Sequence, residues 1–255
     1  MNTSPTDAAR IALTRRPEGE PVVMRQEWRH LLFLHWRVSP ERVQVTLPPG
    51  LTVDTFDGDA YLGLVPFTMR DVRPLWSPAV PGLSHFHETN VRTYVHASNG
   101  EPGVYFYSLD AANPVAVALA RALFHLPYYF ASMRIDRSPD GRTITYRSQR
   151  RHPGVKNVET LQCCTPAPGT RTAEPGTLDH FLCERYLLYS RDGDRLYSGR
   201  VHHTPYPLQD ATLHGGYDAL VATAGFPGVA ETPPVHVAYA GGVRVEVFGL
   251  RPVVE

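Results

Sequence analysis

The chain has 255 residues, and its 25 lysine and arginine residues balance 25 aspartate and glutamate residues, giving a formal net charge of zero. Hydrophobic residues make up 42% of the chain and charged residues 20%, which is ordinary for a globular protein with a sizeable core. Because the basic residues form no runs, the composition excludes an electrostatic binder of nucleic acid or anionic membranes, and it favours a small neutral or weakly charged ligand.

Amines are scarce, and the thiols do not suggest disulfides. Lys156 is the only lysine, so chemistry at a lysine amine is excluded almost everywhere in the chain. Cys163, Cys164 and Cys183 make an odd count, and the first two are adjacent, which does not suit an ordinary disulfide. No stretch approaches the roughly 20 apolar residues of a membrane span. The sequence therefore predicts a cytoplasmic protein outside the membrane.

The N-terminal segment is rich in charged side chains and contains no apolar stretch of the length found in a secretory signal. We therefore expect residues 1–21 to form a flexible tail. Beyond it no internal repeat or low-complexity block is visible, and the 24 prolines are spread along the chain. Residues 22–255 are accordingly predicted to fold as a single domain.

Short runs with strand character dominate this domain, and many are bounded by glycine, proline or Asp-Gly. Asp140-Gly141 and Asp192-Gly193 each lie between two runs, which is a strong signal for a hairpin. The pattern indicates an antiparallel sheet or barrel. In chain order the predicted strands are Leu31–Trp36, Tyr61–Met69, Thr89–His96, Gly103–Leu109, Thr143–Arg147, Tyr186–Ser190, Leu196–His203, His236–Ala240 and Val243–Phe248.

Two helices are predicted among the strands. In the first, Asn113 is a good N-cap, Pro114 suits the first helical position, and Pro127 ends the helix. The second begins near Thr177. We expect each helix to pack an apolar stripe on the outside of the sheet. The stripes are Val115, Leu119, Ala122, Leu123 and Leu126 in the first helix, and Leu178, Phe181 and Leu182 in the second.

The strand that begins at Glu88 has the most informative polar pattern. Side chains alternate between the two faces of a strand. One face therefore carries a carboxylate, an amide, a guanidinium and a phenol, and it either meets solvent or lines a cavity. A buried Arg–Glu pair is costly and tends to be kept for specificity or function, which favours the cavity. The residues of this face are Glu88, Asn90, Arg92 and Tyr94.

Other polar residues allow more than one interpretation. Asp110 either starts the first helix or belongs to a site, and Arg121 must reach solvent from an apolar helix or pair with a buried acid. His202 and His203 are adjacent in a predicted strand, so at most one of them can face a pocket. Imidazole is a common general acid or base, and a structural histidine is the alternative.

His85 and His87 lie two residues apart, a spacing at which two strand residues can bind one divalent metal ion. No second ligand motif accompanies them, so a metal enzyme is a weaker alternative and no cofactor is expected. The sequence also contains no Gly-x-Ser-x-Gly elbow, glycine-rich phosphate loop or Cys-x-x-Cys motif. The adjacent thiols Cys163 and Cys164 lack nearby charge and are expected to be inert.

Five segments are recognisable together and span nearly the whole predicted domain. They are Trp28–Trp36, Leu47–Leu51, Glu88–Val95, Leu126–Tyr129 and Val201–Leu208. In this order they resemble the uncharacterised YqjF-like family, the domain of unknown function 2071, a branch of the acetoacetate decarboxylase-like superfamily. The resemblance implies an α+β, mostly β fold: an antiparallel, cone-shaped β barrel with a few external helices and an interior pocket. Superfamily relatives tend to form symmetric oligomers, which leaves a homo-oligomer open.

The resemblance also bears on the chemistry. In the decarboxylases a helix leads into a Pro-Lys-Lys segment, whose first lysine forms a Schiff base with the keto acid while the second lowers its pKa. The matching segment here is Pro127-Tyr128-Tyr129, and tyrosine cannot form an imine. The superfamily pocket also carries an arginine near the first strand and a glutamate on a central strand, which Arg29 and Glu88 match.

The leading hypothesis is a small-molecule pocket protein that performs cofactor-independent acid/base chemistry on a carbonyl or carboxylate compound, as a lyase, hydratase, cyclase or isomerase. The alternative is a non-catalytic module that only binds the ligand. The side chains expected to move protons are Glu88, Tyr128, and His202 or His203. The side chains expected to bind the substrate are Arg29, Asn90, Arg92, Tyr94, Tyr129 and Arg121.

Overall fold

The structure is a computed structural model that describes residues 4–253. Within this range the chain forms thirteen strands and five α-helices, with a short 3-10 helix at Val229–Glu231. The strands are β1 (Val22–Val38), β2 (Leu51–Val53), β3 (Ala60–Pro74), β4 (Phe86–Ala97), β5 (Pro102–Ala111), β6 (Tyr128–Arg137), β7 (Ile144–Arg150), β8 (Glu159–Pro166), β9 (Leu187–Asp192), β10 (Arg195–His202), β11 (Leu208–Asp218), β12 (His236–Phe248) and β13 (Arg251–Pro252). The helices are α1 (Asp7–Thr14), α2 (Pro40–Gln44), α3 (Pro114–Phe124), α4 (Leu178–Cys183) and α5 (Leu220–Thr223).

All of these strands join one sheet, in the order β13-β10-β9-β5-β6-β7-β8-β11-β12-β1-β3-β4-β2. The pairing of β4 with β5 closes a first ring, which runs β5-β6-β7-β8-β11-β12-β1-β3-β4. The pairing of β10 with β12 closes a second ring, which runs β10-β9-β5-β4-β3-β1-β12. The pairs are antiparallel except for β5 with β6 and β5 with β9, which are parallel. The mostly β fold predicted from the sequence is confirmed.

The central strands are buried on both faces because they border both rings. In β1, every residue from Leu31 to Trp36 is buried, and in β3 burial extends from Ala60 to Met69. Such strands appear in a sequence as continuous apolar runs rather than as alternating ones. This is why the central segments of β1 and β3 were predicted correctly as strands.

The two faces of β4 belong to different cores. β4 pairs with β3 without a register shift, so its side chains alternate regularly. We call the side of β4 that carries Phe86, Glu88, Asn90, Arg92 and Tyr94 the Glu88 face. The core on this face includes Phe86, Tyr94 and, from β10, Val201, whereas Val91 packs in a core with Ile144 and Tyr146 of β7. The Glu88 face therefore lines the second ring.

Both predicted hairpins and both predicted helix starts are confirmed. β6 pairs with β7 across the Asp140-Gly141 turn, and β9 pairs with β10 across Asp192-Gly193. In α3, the Asn113 Oδ1 accepts hydrogen bonds from the Val115 and Ala116 amides at 3.0 and 3.1 Å. In α4, the Thr177 hydroxyl accepts one from the His180 amide.

The orientation predicted for α3 is wrong. Its expected core stripe points outward, with Val115 47%, Leu119 54% and Leu123 62% exposed, while Val117 is buried. Because α3 is apolar on nearly every side, its periodicity could not identify the inward face.

The apolar stripe predicted for α4 packs against the sheet. α4 contributes Phe181 and Leu182 to the core of the Glu88 face. The Phe181 ring lies 5.3 Å from the ring of Tyr94 and 5.9 Å from that of Tyr61, measured between centroids. A helix main chain is thereby brought beside the polar side chains of β4.

The described part of the N-terminal segment contacts the rest of the chain. It contains α1, whose Arg10 makes two hydrogen bonds of 2.7 Å to the buried carboxylate of Asp54, and whose Leu13 is buried. A buried carboxylate needs such a partner. α1 is therefore joined to the domain by an ion pair and a buried leucine, and the flexibility of residues 1–21 stays a prediction.

No helix within residues 4–253 combines the length and the apolar character needed to cross a membrane.

Candidate active site

The centre of the candidate site is a hydrogen bond between Tyr128 and Glu88. The Tyr128 Oη donates to the Glu88 Oε2 at 2.9 Å, and Glu88 is only 3% exposed. The strand register explains this contact: Leu109 of β5 pairs with Asn90 on one side and with Tyr128 on the other. Cross-strand neighbours share a face, so the first residue of β6 projects toward the Glu88 face.

Burial raises the pKa of Glu88 to about 8; the hydrogen bond from Tyr128 opposes this shift, and the negative charge of Asp110 adds to it. Burial and the neighbouring Glu88 also raise the pKa of Tyr128. No arginine, lysine or histidine between residues 4 and 253 forms an ion pair with Glu88. A carboxyl group that titrates near neutral pH is well suited to general acid or base catalysis.

Arg92 is a buried cation on the same face. Its Nη2 donates to the Leu182 carbonyl at 3.0 Å, and its guanidinium lies 5.8 Å from the Phe33 ring and 5.6 Å from the Tyr94 ring. The Arg92 Nε has no hydrogen-bond partner, and no carboxylate of the described chain pairs with this guanidinium. A buried guanidinium without an anion is costly and is suited to bind a carboxylate.

Two acceptor atoms on this side of the sheet also lack partners within the described residues. One is the Asn90 Oδ1, and the other is the His203 Nε2. The His203 Nδ1–H donates to the Thr204 carbonyl at 2.7 Å, which leaves the Nε2 as an acceptor. Burial lowers the pKa of His203 to about 4, so its ring is neutral at pH 7. Each of these buried atoms therefore has an unused hydrogen-bond acceptor position.

His203 is the inward member of its histidine pair. Its ring lies 5.8 Å from that of Trp28, and the Trp28 ring lies 5.9 Å from that of Phe67, which pairs with Glu88 across β3 and β4. His202 is half-buried and pairs with Glu246 of β12. His203 directly follows β10, and the two adjacent rings lie in different environments, as the sequence implied.

Three of the expected ligand-binding residues lie away from this cluster. Arg29 is exposed and bonds to Glu27. Arg121 is exposed and donates to the Tyr128 carbonyl at 2.8 Å. Tyr129 faces the opposite side of β6, where its ring stacks with the guanidinium of Arg150 at 4.1 Å. Of the two arginines expected to hold an anion, Arg29 is exposed and Arg92 is buried on the Glu88 face.

An apolar cavity of about 620 Å³ lies between α3 and the segment that follows β7. Its lining includes Arg121, which contacts the Tyr128 carbonyl, and Phe130, which shares a face of β6 with Tyr128. The other lining residues are Pro114, Val117, Ala118, Ala122, His152 and Pro153. Glu88, Tyr128 and Arg92 are not among the residues that line this cavity.

Asp110 does not cap α3, because Asn113 does so. Its carboxylate is fully buried on the face opposite Glu88 and accepts hydrogen bonds from the Nε and Nη2 of Arg150. The predicted strand ended at Arg147, so Arg150 had no assigned position. This ion pair was consequently missed.

The histidines considered for a metal site lie apart from any third ligand. His85 is exposed before β4, where its Nδ1 accepts from the Asp71 amide, and the His87 Nδ1 lies 3.0 Å from the Thr68 hydroxyl. No group of three or more His, Cys, Asp or Glu side chains in the described chain could hold a metal ion.

A hydrogen-bonded chain that was not predicted extends from the Glu88 face toward the surface. The Tyr94 Oη lies 2.8 Å from the Leu182 carbonyl and 2.7 Å from the His35 Nε2. The His35 Nδ1 lies 2.9 Å from the His236 Nδ1, whose ring contacts the Asp179 Oδ1 through Nε2 at 2.9 Å. Only Tyr94 among these residues had been singled out from the sequence.

Comparison with known proteins assigns the chain to a family. Residues 25–244 match the model of the domain of unknown function 2071, described as an uncharacterized conserved protein. The chain belongs to this family. It is 36% identical over 216 residues to the uncharacterized protein YqjF of Bacillus subtilis (strain 168), an alignment that covers 85% of this chain and 87% of YqjF.

Solved structures with the same fold include enzymes. An acetoacetate decarboxylase-like enzyme from Sphingomonas wittichii RW1 matches with a TM-score of 0.62 at 13% identity, covering 91% of this chain and 94% of that one. The enduracididine biosynthesis enzyme MppR, complexed with pyruvate, matches with a TM-score of 0.59 at 16% identity, covering 93% of each chain. The expected relation to the acetoacetate decarboxylase-like fold is confirmed, and at these identities the likeness concerns the fold.

Proposed function

We propose that this protein binds a small carbonyl compound bearing a carboxylate on the Glu88 face and performs acid/base chemistry on it without a cofactor. The observation that carries the proposal is the buried Glu88–Tyr128 hydrogen bond on the same face as Arg92, a buried guanidinium without a carboxylate partner. One face thus combines a group that can move a proton with a group that can hold an anion.

Each side chain has a distinct part in this proposal. Arg92 anchors the carboxylate of the substrate through its unpaired Nε. Glu88, with a pKa near 8, donates a proton to the substrate or removes one. Tyr128 turns its hydroxyl from Glu88 to the carbonyl oxygen and stabilises a developing enolate. Asn90 and His203, rather than His202, accept hydrogen bonds from the substrate.

A Schiff-base mechanism is not part of the proposal. Tyr128 stands where the resemblance expects the imine-forming lysine, and Lys156 is exposed on the loop between β7 and β8. MppR, a fold relative, binds pyruvate in its solved complex. This supports 2-keto acids as the first compounds to test.

The proposal predicts that the protein enolises a bound keto acid. Pyruvate is the probe, and the exchange of its methyl protons in deuterated buffer at pH 7 to 8 is followed by NMR. We expect the wild type to accelerate this exchange and Glu88→Gln to lower the rate by about 100-fold or more. Glu174→Gln, which changes an exposed carboxylate, is the matched control and should exchange at the wild-type rate.

Binding is measured on the same variants by calorimetry with pyruvate and acetoacetate. Arg92→Met should abolish binding, and Glu88→Gln should retain it. If the wild type binds either acid without promoting exchange, the protein is the non-catalytic binding module. That alternative is favoured by the unpaired atoms of Asn90, Arg92 and His203, which require only a ligand. If neither acid binds, the proposed anion anchor is refuted.

Borohydride trapping tests the absence of a Schiff base independently. Treatment of the protein with borohydride and either keto acid should leave its mass unchanged. A stable adduct at Lys156 would overturn this part of the proposal.

The cytoplasmic location and the homo-oligomer stay predictions. Light scattering of the purified protein would measure the number of subunits directly.

A further inference from the structure

The chain of Tyr94, His35, His236 and Asp179 depends on strand register. His236, His35, Gly63 and Arg92 are successive cross-strand partners on β12, β1, β3 and β4. A Cβ on Gly63 would lie 3.1 Å from the His35 ring and 3.3 Å from the Arg92 Cγ, so glycine leaves room for both side chains. This row of cross-strand partners therefore places the rings of His35 and His236 next to each other, beside Arg92.

The hydrogen bonds of this chain can be counted against the available protons. Its two ends, the Leu182 carbonyl and the Asp179 carboxylate, only accept hydrogen bonds. Four hydrogen bonds link the ends through Tyr94, His35 and His236. Each bond needs one proton, but a neutral tyrosine and two neutral histidines supply three. The full chain therefore requires one proton more than its neutral groups carry.

The surroundings indicate which group holds this proton. Burial, His236 and Arg92 lower the pKa of His35 well below its ordinary value, so His35 stays neutral. The hydrogen bond from His236 and the Arg171 guanidinium hold the pKa of Asp179 below its ordinary value, so its carboxylate stays ionised. Arg171 also pairs with Asp210 at the exposed end of the chain. His236 is thus the ring that must donate through both nitrogens.

We propose that Tyr94, His35, His236 and Asp179 form a proton store, in which a doubly protonated His236 holds one transferable proton that Tyr94 can deliver to a ligand on the Glu88 face. In the loaded state, His236 donates to Asp179 and to His35, His35 donates through Nε2 to Tyr94, and Tyr94 donates to the Leu182 carbonyl.

Delivery moves one proton and leaves every atom with its normal valence. The Tyr94 O–H bond breaks as its proton passes to a ligand oxygen, and Tyr94 takes the Nε2 proton of His35. His35 in turn takes the Nδ1 proton of His236, which becomes neutral. The reverse transfer from the ligand reloads the store. Such a proton store suits a reaction in which a carbonyl oxygen is protonated transiently and later deprotonated, such as an isomerisation or elimination.

The delivery step rests on the proposed function, whereas the stored proton does not. The decisive experiment is therefore nitrogen NMR of the full chain with 15N-labelled histidine at pH 7. The wild type should show two protonated ring nitrogens at His236 and the Nε2–H tautomer at His35. A neutral His236 would overturn the proposal, whatever the protein does with keto acids.

Two variants test the proton count. Tyr94→Phe removes two of the four hydrogen bonds, so His35 and His236 can complete the rest as neutral rings, and His236 should lose one ring proton. Tyr206→Phe is the matched control, because Tyr206 lies in the same core outside the chain, and His236 should stay doubly protonated. An unchanged His236 in Tyr94→Phe would refute the coupling along the chain.

The outer end gives an independent test. In Asp179→Asn the new amide can donate to the His236 Nε2, so four hydrogen bonds form without the extra proton, and His236 should become neutral. Asp210→Asn is the control, because it removes the other carboxylate bound to Arg171 and leaves the chain intact. If His236 is protonated equally in Asp179→Asn and Asp210→Asn, the proposed proton store is refuted.

Discussion

Replacing Glu88 by glutamine should change how the stability of the protein depends on pH. Glutamine has nearly the same shape and can still accept a hydrogen bond from Tyr128, but it does not titrate. The difference in unfolding free energy between the wild type and Glu88→Gln therefore isolates the ionisation of Glu88, because other titrating groups contribute to both proteins.

The magnitude follows from the pKa of Glu88. Burial raises this pKa from 4.5 in the unfolded chain to about 8 in the folded protein. Between these values the unfolded state loses its proton while the folded state retains it, so stability falls as pH rises. At about 1.4 kcal/mol per pH unit, the total loss relative to the glutamine variant is about 5 kcal/mol. The difference should be constant below pH 4 and above pH 9.

Urea unfolding at intervals from pH 4 to pH 9 provides the assay, with both proteins measured in the same buffers. Tyr128→Phe adds a second test, because the hydrogen bond from Tyr128 favours the ionised carboxylate. Its loss should raise the pKa of Glu88 further and extend the falling region above pH 8. If the difference between wild type and Glu88→Gln does not vary with pH, the reasoning about the buried carboxyl group is wrong.

Three further predictions concern the framework around the site, each measured by urea unfolding or proteolysis at pH 7. Arg150→Met leaves the buried Asp110 without its partner and should lower the unfolding free energy by about 3 to 5 kcal/mol; a loss below about 1 kcal/mol would contradict this. Phe181→Ala removes a buried ring from the core of the Glu88 face and should cost about 3 to 5 kcal/mol, and a near-neutral effect would mean that α4 is not packed there. Asp54→Asn removes the carboxylate that Arg10 and the buried Arg185 both bind, so trypsin should cleave within α1 faster than in the wild type; unchanged cleavage would mean that other contacts hold the helix.

Some elements could be predicted because local sequence suffices to define them. β1 and β3 are buried on both faces, so their apolar runs are long, and the Asp-Gly turns and the Asn113 cap have local backbone causes. β2, β11 and β13 were not predicted, because β2 and β13 are too short to show a pattern and β11 mixes polar and apolar residues; each is held by pairing with a neighbouring strand. Their strand conformation depends on partners that are distant in the sequence.

The candidate site divides in the same way. Strand periodicity alone put Glu88, Asn90, Arg92 and Tyr94 on one face, and the family resemblance drew attention to Tyr128. Only the tertiary structure shows that His203 rather than His202 faces inward, that Arg29 lies at the surface, and that Asp110 pairs with Arg150.

The physical reason lies in the range of the interactions. Alternation, capping and turn preferences act between residues a few positions apart, so the sequence contains them directly. Burial, pKa shifts and hydrogen-bonded chains arise between segments whose register is set by the closed sheet. The chain from Tyr94 through His35 and His236 to Asp179 joins three strands and a helix, and only folding brings those four side chains together.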